Sequence, residues 1–421
     1  MEASLDKSIK LILGTLVGLV LLTAVFSAGI LVGHFVPAST DLPVISDLIP
    51  RQEVLPEQQG ATPGELQTLF QPFWEAWNIV HNQYVDQPLD DLKLMRGAIK
   101  GMMDAVGDKQ TYYMDPHVYE SATSELSGEY EGIGAYVDTT GEYLKIISPI
   151  EGSPAEAVGL KPGDLIIAID GVDMTGKTPE EARQKVLGPA GSEVKLTVTR
   201  ENQEEHLEFS ITRAKISIAS VTGKMLDNNI AYVDINTFGE KTTDELYKTL
   251  DELLAQNPQG ILIDLRNNGG GYLSTAVDVA SQFISDGVVL YEQHGDGTRD
   301  EYKAQGKGRA TELPLVVLVN EGSASASEIL AGALQDYDRA QLVGVQSYGK
   351  GSVQQWMPLS NDQGAARVTI ARWLTPHERL IDGVGLTPDF IIELTDDDIA
   401  NNRDPQLDKA VELLIGLIAQ R

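Results

Sequence analysis

Hydrophobic and polar positions follow four different patterns along this chain. The first is a run from Leu11 to Val32, LILGTLVGLVLLTAVFSAGILV, without a single charge. About 20 such residues suffice for a helix to cross a bilayer. Lys7 and Lys10 precede the run, which favours a cytoplasmic N-terminus. A cleaved signal peptide is the competing reading, with small residues at Phe26-Ser27-Ala28-Gly29 to cut, but the run is longer than a usual signal core. Residues 1–35 are therefore expected to be a stub and transmembrane anchor, and 36–64 a tether rich in proline, acidic and polar residues. Either reading puts the remainder outside the cytoplasm.

The second pattern, 65–126, is helical: Leu66, Leu69, Phe70, Phe73, Trp77 and Val80 recur at three- and four-residue spacing, and Leu94, Ile99, Met102 and Met103 follow. The third, 127–214, is strand-rich, with runs at Ile133–Val137, Leu144–Ser148, Leu165–Ile169 and Val194–Arg200. Ser153-Pro154 and Thr178-Pro179 each open a short helix there. These features predict a partly open barrel with two helices. The fourth, 215–400, alternates short apolar strands (Asn229–Ile235, Gly260–Leu265, Leu315–Asn320, Gln341–Val345) with helices (Thr242–Gln256, Leu273–Ile284, Ser325–Leu334), an α/β core with crossover helices. In 401–421 a last amphipathic helix carries the stripe Leu407, Ala410, Val411 and Leu414, fit either for a homodimer contact or for packing on its own core.

Composition narrows the chemistry. At 421 residues with 42% hydrophobic positions the chain can bury two or three cores. With no cysteine there are no disulfides, thiolate metal sites or cysteine nucleophiles. The formal net charge of -30, with no basic stripe, argues against nucleic acid. The six histidines fall in separate elements, and His377-Glu378 lacks the second histidine of a zincin helix. Asp138-Thr139-Thr140-Gly141 reads as a hairpin turn, and Asp396-Asp397-Asp398 as a solvated loop or helix start. Gly344–Lys350 resembles a phosphate loop, but Gly351 stands where a magnesium-binding hydroxyl is needed.

Three segments of the α/β region remain. Asn320-Glu321-Gly322-Ser323-Ala324-Ser325-Ala326-Ser327-Glu328 leaves a strand and enters a helix, so a serine could sit beside unpaired N–H groups. The plain alternative is a serine cap with Glu328 completing a capping box. In Ser347-Tyr348-Gly349-Lys350-Gly351-Ser352-Val353-Gln354 burial would lower the lysine's pKa and make it a workable base. An extended chain there would put Gln354 on the lysine's face. The plain alternative is a surface turn. Finally, Gly269-Gly270-Gly271 closes a strand and offers bare backbone N–H groups.

The order GGG, SASASE, YGKGxxQ resembles the carboxyl-terminal processing peptidases, tail-specific serine proteases of the S41 type, from about Phe70 to Ala419. The resemblance implies a multidomain α+β and α/β protein: a helical region, a PDZ domain (127–214), a protease core with ClpP/crotonase-like features (215–400) and a C-terminal helix. It implies Ser325 as nucleophile, Lys350 as base, Gln354 as the group orienting it, and an oxyanion hole from the N–H groups of Ala326 and of Gly271 or Gly270. Gly132, Ile133, Gly134 and Ala135 match the PDZ loop that takes a substrate's C-terminal carboxylate. Two departures stand out: a glycine usual after the Arg367–Trp373 segment is Glu378, and a basic residue usual near the second PDZ helix is Leu187, which puts gating by that residue in doubt. Gly107-Asp108-Lys109-Gln110-Thr111 lacks the commoner proline, a change expected to touch packing alone. The expectation is a membrane-anchored serine endopeptidase at a bacterial cell membrane, single-pass, its catalytic part extracytoplasmic. It would act on unfolded or tail-exposed proteins with apolar C-termini, without cofactor or metal, and form a homodimer or larger homo-oligomer. The rivals are a non-enzymatic PDZ scaffold or partner-activated assembly, and an α/β enzyme acting on a thioester or phosphate. A Ser-His-Asp hydrolase fits worse, with no histidine near either motif.

Overall fold

The computed structural model describes residues 63–420 apart from 202, 204 and 402. Among these no helix is long and apolar enough to cross a membrane. The uncharged run Leu11–Val32 lies outside the described residues. The chain divides into two units, 1–89 and 90–421. The first contributes helix α1, Pro63–Gln83. Its aromatic residues meet at helical spacing: Phe70 meets Phe73 edge-on at 6.2 Å, and Trp77 stacks on His81 at 4.7 Å.

The second unit opens with helix α2 (Asp91–Asp104), whose N-terminal Lys93 N–H donates to the Asp90 carboxylate. Strand β1 (Tyr112–Met114) follows, then helix α3 (Pro116–Ser127), capped by Asp115 and ended by Gly128 at φ 66°. The strand is an addition to the all-helical expectation for this region.

The strand-rich domain contains β2 (Glu129–Gly132), β3 (Ala135–Asp138), β4 (Leu144–Pro149), helix α4 (Pro154–Ala157), β5 (Leu165–Ile169), β6 (Val172–Asp173), helix α5 (Pro179–Val186), β7 (Glu193–Thr199) and β8 (Leu207–Thr212). The antiparallel sheet runs β3-β4-β5-β7-β8, with β6 on β5. Alternation places the core: β7 buries Val194, Leu196 and Val198, which pack with Ile146, Ile166, Ile211 and Val186 of α5. Both helix caps form as expected, Ser153 Oγ accepting from Glu156 N–H and Thr178 Oγ1 from Glu181 N–H. The run Ile133–Val137 is not one strand. Gly134, at φ 80°, breaks it because its backbone lies against the Ser153 side chain, leaving no room for a Cβ. β2 therefore pairs with β9 (Ala214–Ser217) while β3 pairs with β4.

The core follows with β10 (Val221–Leu226), β11 (Ile230–Ile235), α6 (Thr242–Leu254), β12 (Gly260–Asp264), α7 (Leu273–Ala280), β13 (Val288–His294), β14 (Arg299–Lys303), β15 (Leu315–Val319), α8 (Ala326–Asp336), β16 (Gln341–Gly344), β17 (Ser352–Pro358), β18 (Ala365–Leu374), β19 (Phe390–Ile391), α9 (Asp396–Ala400) and α10 (Pro405–Ala419). The main sheet runs β10-β11-β12-β15-β16-β19, parallel except for the edge strand β10. Every residue of β12 and β15 is buried, because both sheet faces are covered. Ile261 and Ile263 pack towards α6, α7 and α8, while Leu262 packs towards Ala410 and Leu414 of α10. The α10 stripe thus packs on its own core. A second, antiparallel sheet runs β1-β18-β13-β14, with β17 also on β18.

Candidate active site

Because β12, β15 and β16 are parallel neighbours, their C-terminal ends open on one edge of the sheet, where ligand sites of such sheets form. The glycine segment leaves β12, the serine segment leaves β15 and the lysine segment leaves β16. Topology alone brings the three together.

The serines of the run differ in what they do. Ser323 and Ser327 are buried, and their hydroxyls donate at 2.8 Å to the carbonyls of Leu265 and Asn268. They fasten the serine loop to the glycine loop. Ser325 is half-buried, and its hydroxyl donates to nothing among the described residues. Its backbone, at φ 55° and ψ -115°, occupies a half of conformational space that costs an L-residue energy, a strain retained at functional sites. Ala326, the first helical residue, keeps the free N–H of a helix start.

The glycine loop lies directly against this turn. A Cβ on Gly270, at φ 101°, would stand 2.8 Å from Ser325 Cβ and 2.9 Å from Ala326 N, so only glycine fits. The Gly270 N–H is engaged, donating to Asn268 Oδ1 at 2.9 Å. The Gly271 N–H has no acceptor among the described residues. Of the two glycines, Gly271 therefore has the N–H to give.

Glu328 joins the serine and lysine segments. It is fully buried on the first turn of α8, and its carboxylate accepts four hydrogen bonds. Oε1 takes the Ser347 hydroxyl at 2.6 Å and the Gly349 N–H at 2.7 Å. Oε2 takes the N–H groups of Ser325 and Lys350, each at 2.9 Å. A buried carboxylate is tolerable only when satisfied in this way. The capping role expected of Glu328 is real, but it covers only one of the four bonds. An acidic residue within the otherwise small and apolar ASEILAGAL was the available signal.

The Lys350 carbonyl accepts the Trp373 indole N–H at 3.0 Å, while its amine has no hydrogen-bond or ion-pair partner among the described residues. Burial first, and the nearby Arg367 charge second, hold its pKa down to about 8, against an opposing pull from Glu328. Gln354 does not bond to Lys350. Its amide donates to Ser352 Oγ at 2.8 Å and accepts from Arg367 Nη2 at 3.1 Å. The extended alternation assumed between the two residues does not reach Lys350, since β17 begins only at Ser352.

In the strand-rich domain, Gly132, Ile133 and Gly134 are buried and Ala135 half-buried at the β2–β3 junction. A cleft of about 1340 Å³ runs past this junction, lined by Ile133, Ala135, Val137, Leu187 and, at the core, Thr237. Thr237 Oγ1 donates to the Gly270 carbonyl at 3.2 Å, so the cleft reaches the element that touches Ser325. Leu187, where a basic residue was usual, packs beside Gly132. Asp138 accepts the N–H and hydroxyl of Thr140, as a hairpin turn does. Among the described residues Glu292, His294 and Asp300 could reach one metal ion, but His294 already bonds Asp300 and Glu292 accepts from Tyr302.

Comparison with known proteins places this geometry. Residues 229–392 match the model of peptidase family S41, 145–200 a PDZ domain, and 47–118 the N-terminal domain of the activating protease CtpB. The chain is 36% identical over 354 residues to a carboxyl-terminal-processing protease of Synechocystis, covering 82% of each protein. It is also 36% identical to the carboxy-terminal processing protease CtpA of Bacillus subtilis, covering 80% of this chain and 72% of that one. An S41 protease structure from Bacteroides fragilis shares the fold at TM-score 0.51 and 16% identity, over 82% of this chain and 97% of that one. The family models and the relatives define a serine-type endopeptidase with a PDZ domain. The chain belongs to peptidase family S41, among the carboxyl-terminal processing proteases.

Proposed function

We propose that this protein is a membrane-anchored serine endopeptidase that takes exposed, mostly apolar C-terminal tails into its PDZ domain and cleaves the chain at a Ser325–Lys350 centre. The observation that carries the reading is the division of labour in the serine run. Two hydroxyls donate to backbone carbonyls, and the third donates to nothing among the described residues, beside two N–H groups that have no acceptor there. In the reaction, neutral Lys350 takes the Ser325 proton as Oγ attacks the scissile carbonyl. The N–H groups of Ala326 and Gly271 receive the tetrahedral oxyanion. Protonated Lys350 then gives its proton to the leaving amine, and water, activated by the same base, releases the acyl-enzyme. A tail enters as an extra strand beside β3, its carboxylate at the Gly132–Ala135 loop, and the cleft leads the preceding chain towards Gly270. Succession of parallel strands and crossover helices supports the ClpP/crotonase-like reading of the core. The Leu11–Val32 run supports the single-pass anchor, with the catalytic part extracytoplasmic.

The test is peptide release from an unfolded substrate, followed by mass spectrometry, with the full chain in detergent. The parent is expected to cleave, and Ser325→Ala and Lys350→Ala to be silent. Cleavage surviving in S325A would move the nucleophile elsewhere. Tail binding with an intact substrate in the parent would favour the scaffold.

A further inference from the structure

The lysine has a cationic neighbour that the reaction as described leaves unused. Arg367 lies on β18, next to β17, and reaches back to the catalytic segment. Its Nη2 donates to Gln354 Oε1 at 3.1 Å and to Gln110 Oε1 at 3.3 Å, and its Nη1 donates to the Tyr112 hydroxyl at 2.7 Å. The guanidinium also lies over the Tyr112 ring, 5.0 Å from its centre. Its Nε is buried without an acceptor, and no carboxylate lies within ion-pair distance among the described residues. A half-buried guanidinium bonded only to neutral groups among the described residues has no ion pair to offset its charge.

The mounting is built from the far N-terminal side of this unit. Asp108 Oδ2 accepts the hydroxyls of Thr369 at 2.5 Å and Thr111 at 2.7 Å, and Thr111 Oγ1 accepts the Thr369 N–H at 3.0 Å. Gln354 Nε2 itself reaches Thr369 Oγ1 at 3.4 Å. The segment from Asp108 to Tyr112 therefore fixes both β18 and the arginine standing on it.

We infer that Arg367 is a positioning residue of the proteolytic centre: it holds the Gln354 amide on the strand that follows the lysine loop, and is itself held by the Asp108–Tyr112 segment. This rests on the reading of Lys350 as the base. Burial does most to keep the amine neutral and the Arg367 charge adds to it, so that the amine can take the Ser325 proton at a pH where an ordinary lysine is fully protonated. The charged and titratable groups facing the lysine loop are Glu328 from α8, Arg367 from β18, Asp108 and Tyr112 beyond it, and Asp382, which accepts the Gly351 N–H at 3.1 Å with Arg372 4.0 Å away. Glu328 acts in the opposite sense. Arg367 is the member that disfavours the ammonium form.

The experiment is the pH profile of kcat/KM for the full chain carrying Arg367→Met or Arg367→Lys. R367M is expected to move the acid limb upward by about one pH unit, the scale of a lost neighbouring charge, with turnover recovering as pH rises. R367K keeps the charge and should leave the limb in place while lowering kcat through the loosened Gln354. A role confined to packing would lower turnover at every pH and move no limb. An activity-independent readout is the titration of the Lys350 ¹³Cε resonance in ¹³C-lysine-labelled S325A protein, assigned with K350R. Adding R367M should raise its midpoint by a similar amount. Should R367M fail to fold, Tyr112→Phe, which frees the Nη1 anchor and keeps the charge in the protein, should move the midpoint the same way by less. An unmoved limb and an unmoved lysine resonance overturn the inference. Cleavage by Lys350→Ala would instead overturn the base assignment, whatever the Arg367 variants do.

Discussion

Ser325 and Lys350 donate their backbone N–H groups to the same oxygen, Oε2 of Glu328, at equal distances of 2.9 Å. One buried carboxylate thus sets the separation of the serine turn and the lysine loop, which arrive from different strands. Glu328→Gln tests this with almost no change of shape. An amide keeps one acceptor oxygen and turns the other into an NH₂ that faces donors, leaving N–H groups unsatisfied. We expect a loss of about 2–3 kcal/mol in stability by urea denaturation. Turnover should fall by roughly 10²-fold or more, since small misplacements of reacting groups carry costs of that order. A variant with parental stability and turnover would show that the carboxylate does not organise the site.

Gly270→Ala probes the other flank of the serine. The added methyl would meet the Ala324 carbonyl at 2.7 Å and Ala326 N at 2.9 Å, on a backbone at φ 101° that an alanine resists. Either the serine turn or the glycine loop must give way, and both move the N–H pair that would hold the oxyanion. The expected result is a drop in kcat of about 10²-fold, within the range for losing one oxyanion donor, with KM little changed. Near-parental kcat would remove the glycine loop from the chemistry.

Lys350 makes a signed prediction about stability. Its pKa is lowered from 10.5 to about 8 in the folded protein. Between those values the unfolded chain binds more protons than the folded one, so this group makes stability rise with pH across the window. Below pH 8 the folded protein carries its full cost. Lys350→Met keeps the aliphatic stem and removes the charge. Its melting temperature should exceed the parent's by several degrees at pH 7, with the difference shrinking as pH rises from 8 to 10.5. Comparing the two proteins at each pH cancels every other titrating group. A constant difference would mean that the amine is solvated and ordinary.

Much of this site was legible before any coordinates. The parallel strands gave themselves away because burial on both faces makes them short, unbroken apolar runs, as in Ile261-Leu262-Ile263 and Leu315–Val319. Their parallel order then forces the glycine, serine and lysine segments to one edge. What stayed hidden depends on partners distant in sequence. Strand β14, Arg299–Lys303, is almost wholly exposed, and β1 is three residues long and defined by its pairing with β18. No local pattern marks either. The same reason concealed Arg367 and the Asp108–Tyr112 segment, which looked like packing. The 255 residues separating Tyr112 from Arg367 leave no local signature of the bond joining them.

Glu378 offers a test of why a glycine is usual at its position. It sits at φ 57° in the turn after β18, where its N–H donates to the Thr375 carbonyl at 2.8 Å, ahead of the bridge between Leu374 and Leu380. The left-handed backbone suits glycine, whereas a Cβ there costs about 1–2 kcal/mol. What glutamate gains is an ion pair with Arg299 at 2.9 Å, with both side chains largely in solvent, an arrangement worth little. Glu378→Gly and Glu378→Ala lose that pair equally, and only glycine relieves the backbone. Glycine also gives back some of the gain as extra freedom of the unfolded chain. The glycine variant should therefore be more stable than the alanine variant by about 1 kcal/mol in urea denaturation, with turnover unchanged in both. Equal stability would mean that the turn relaxes out of the left-handed region when its ion pair is removed, so that Arg299 holds the strain in place.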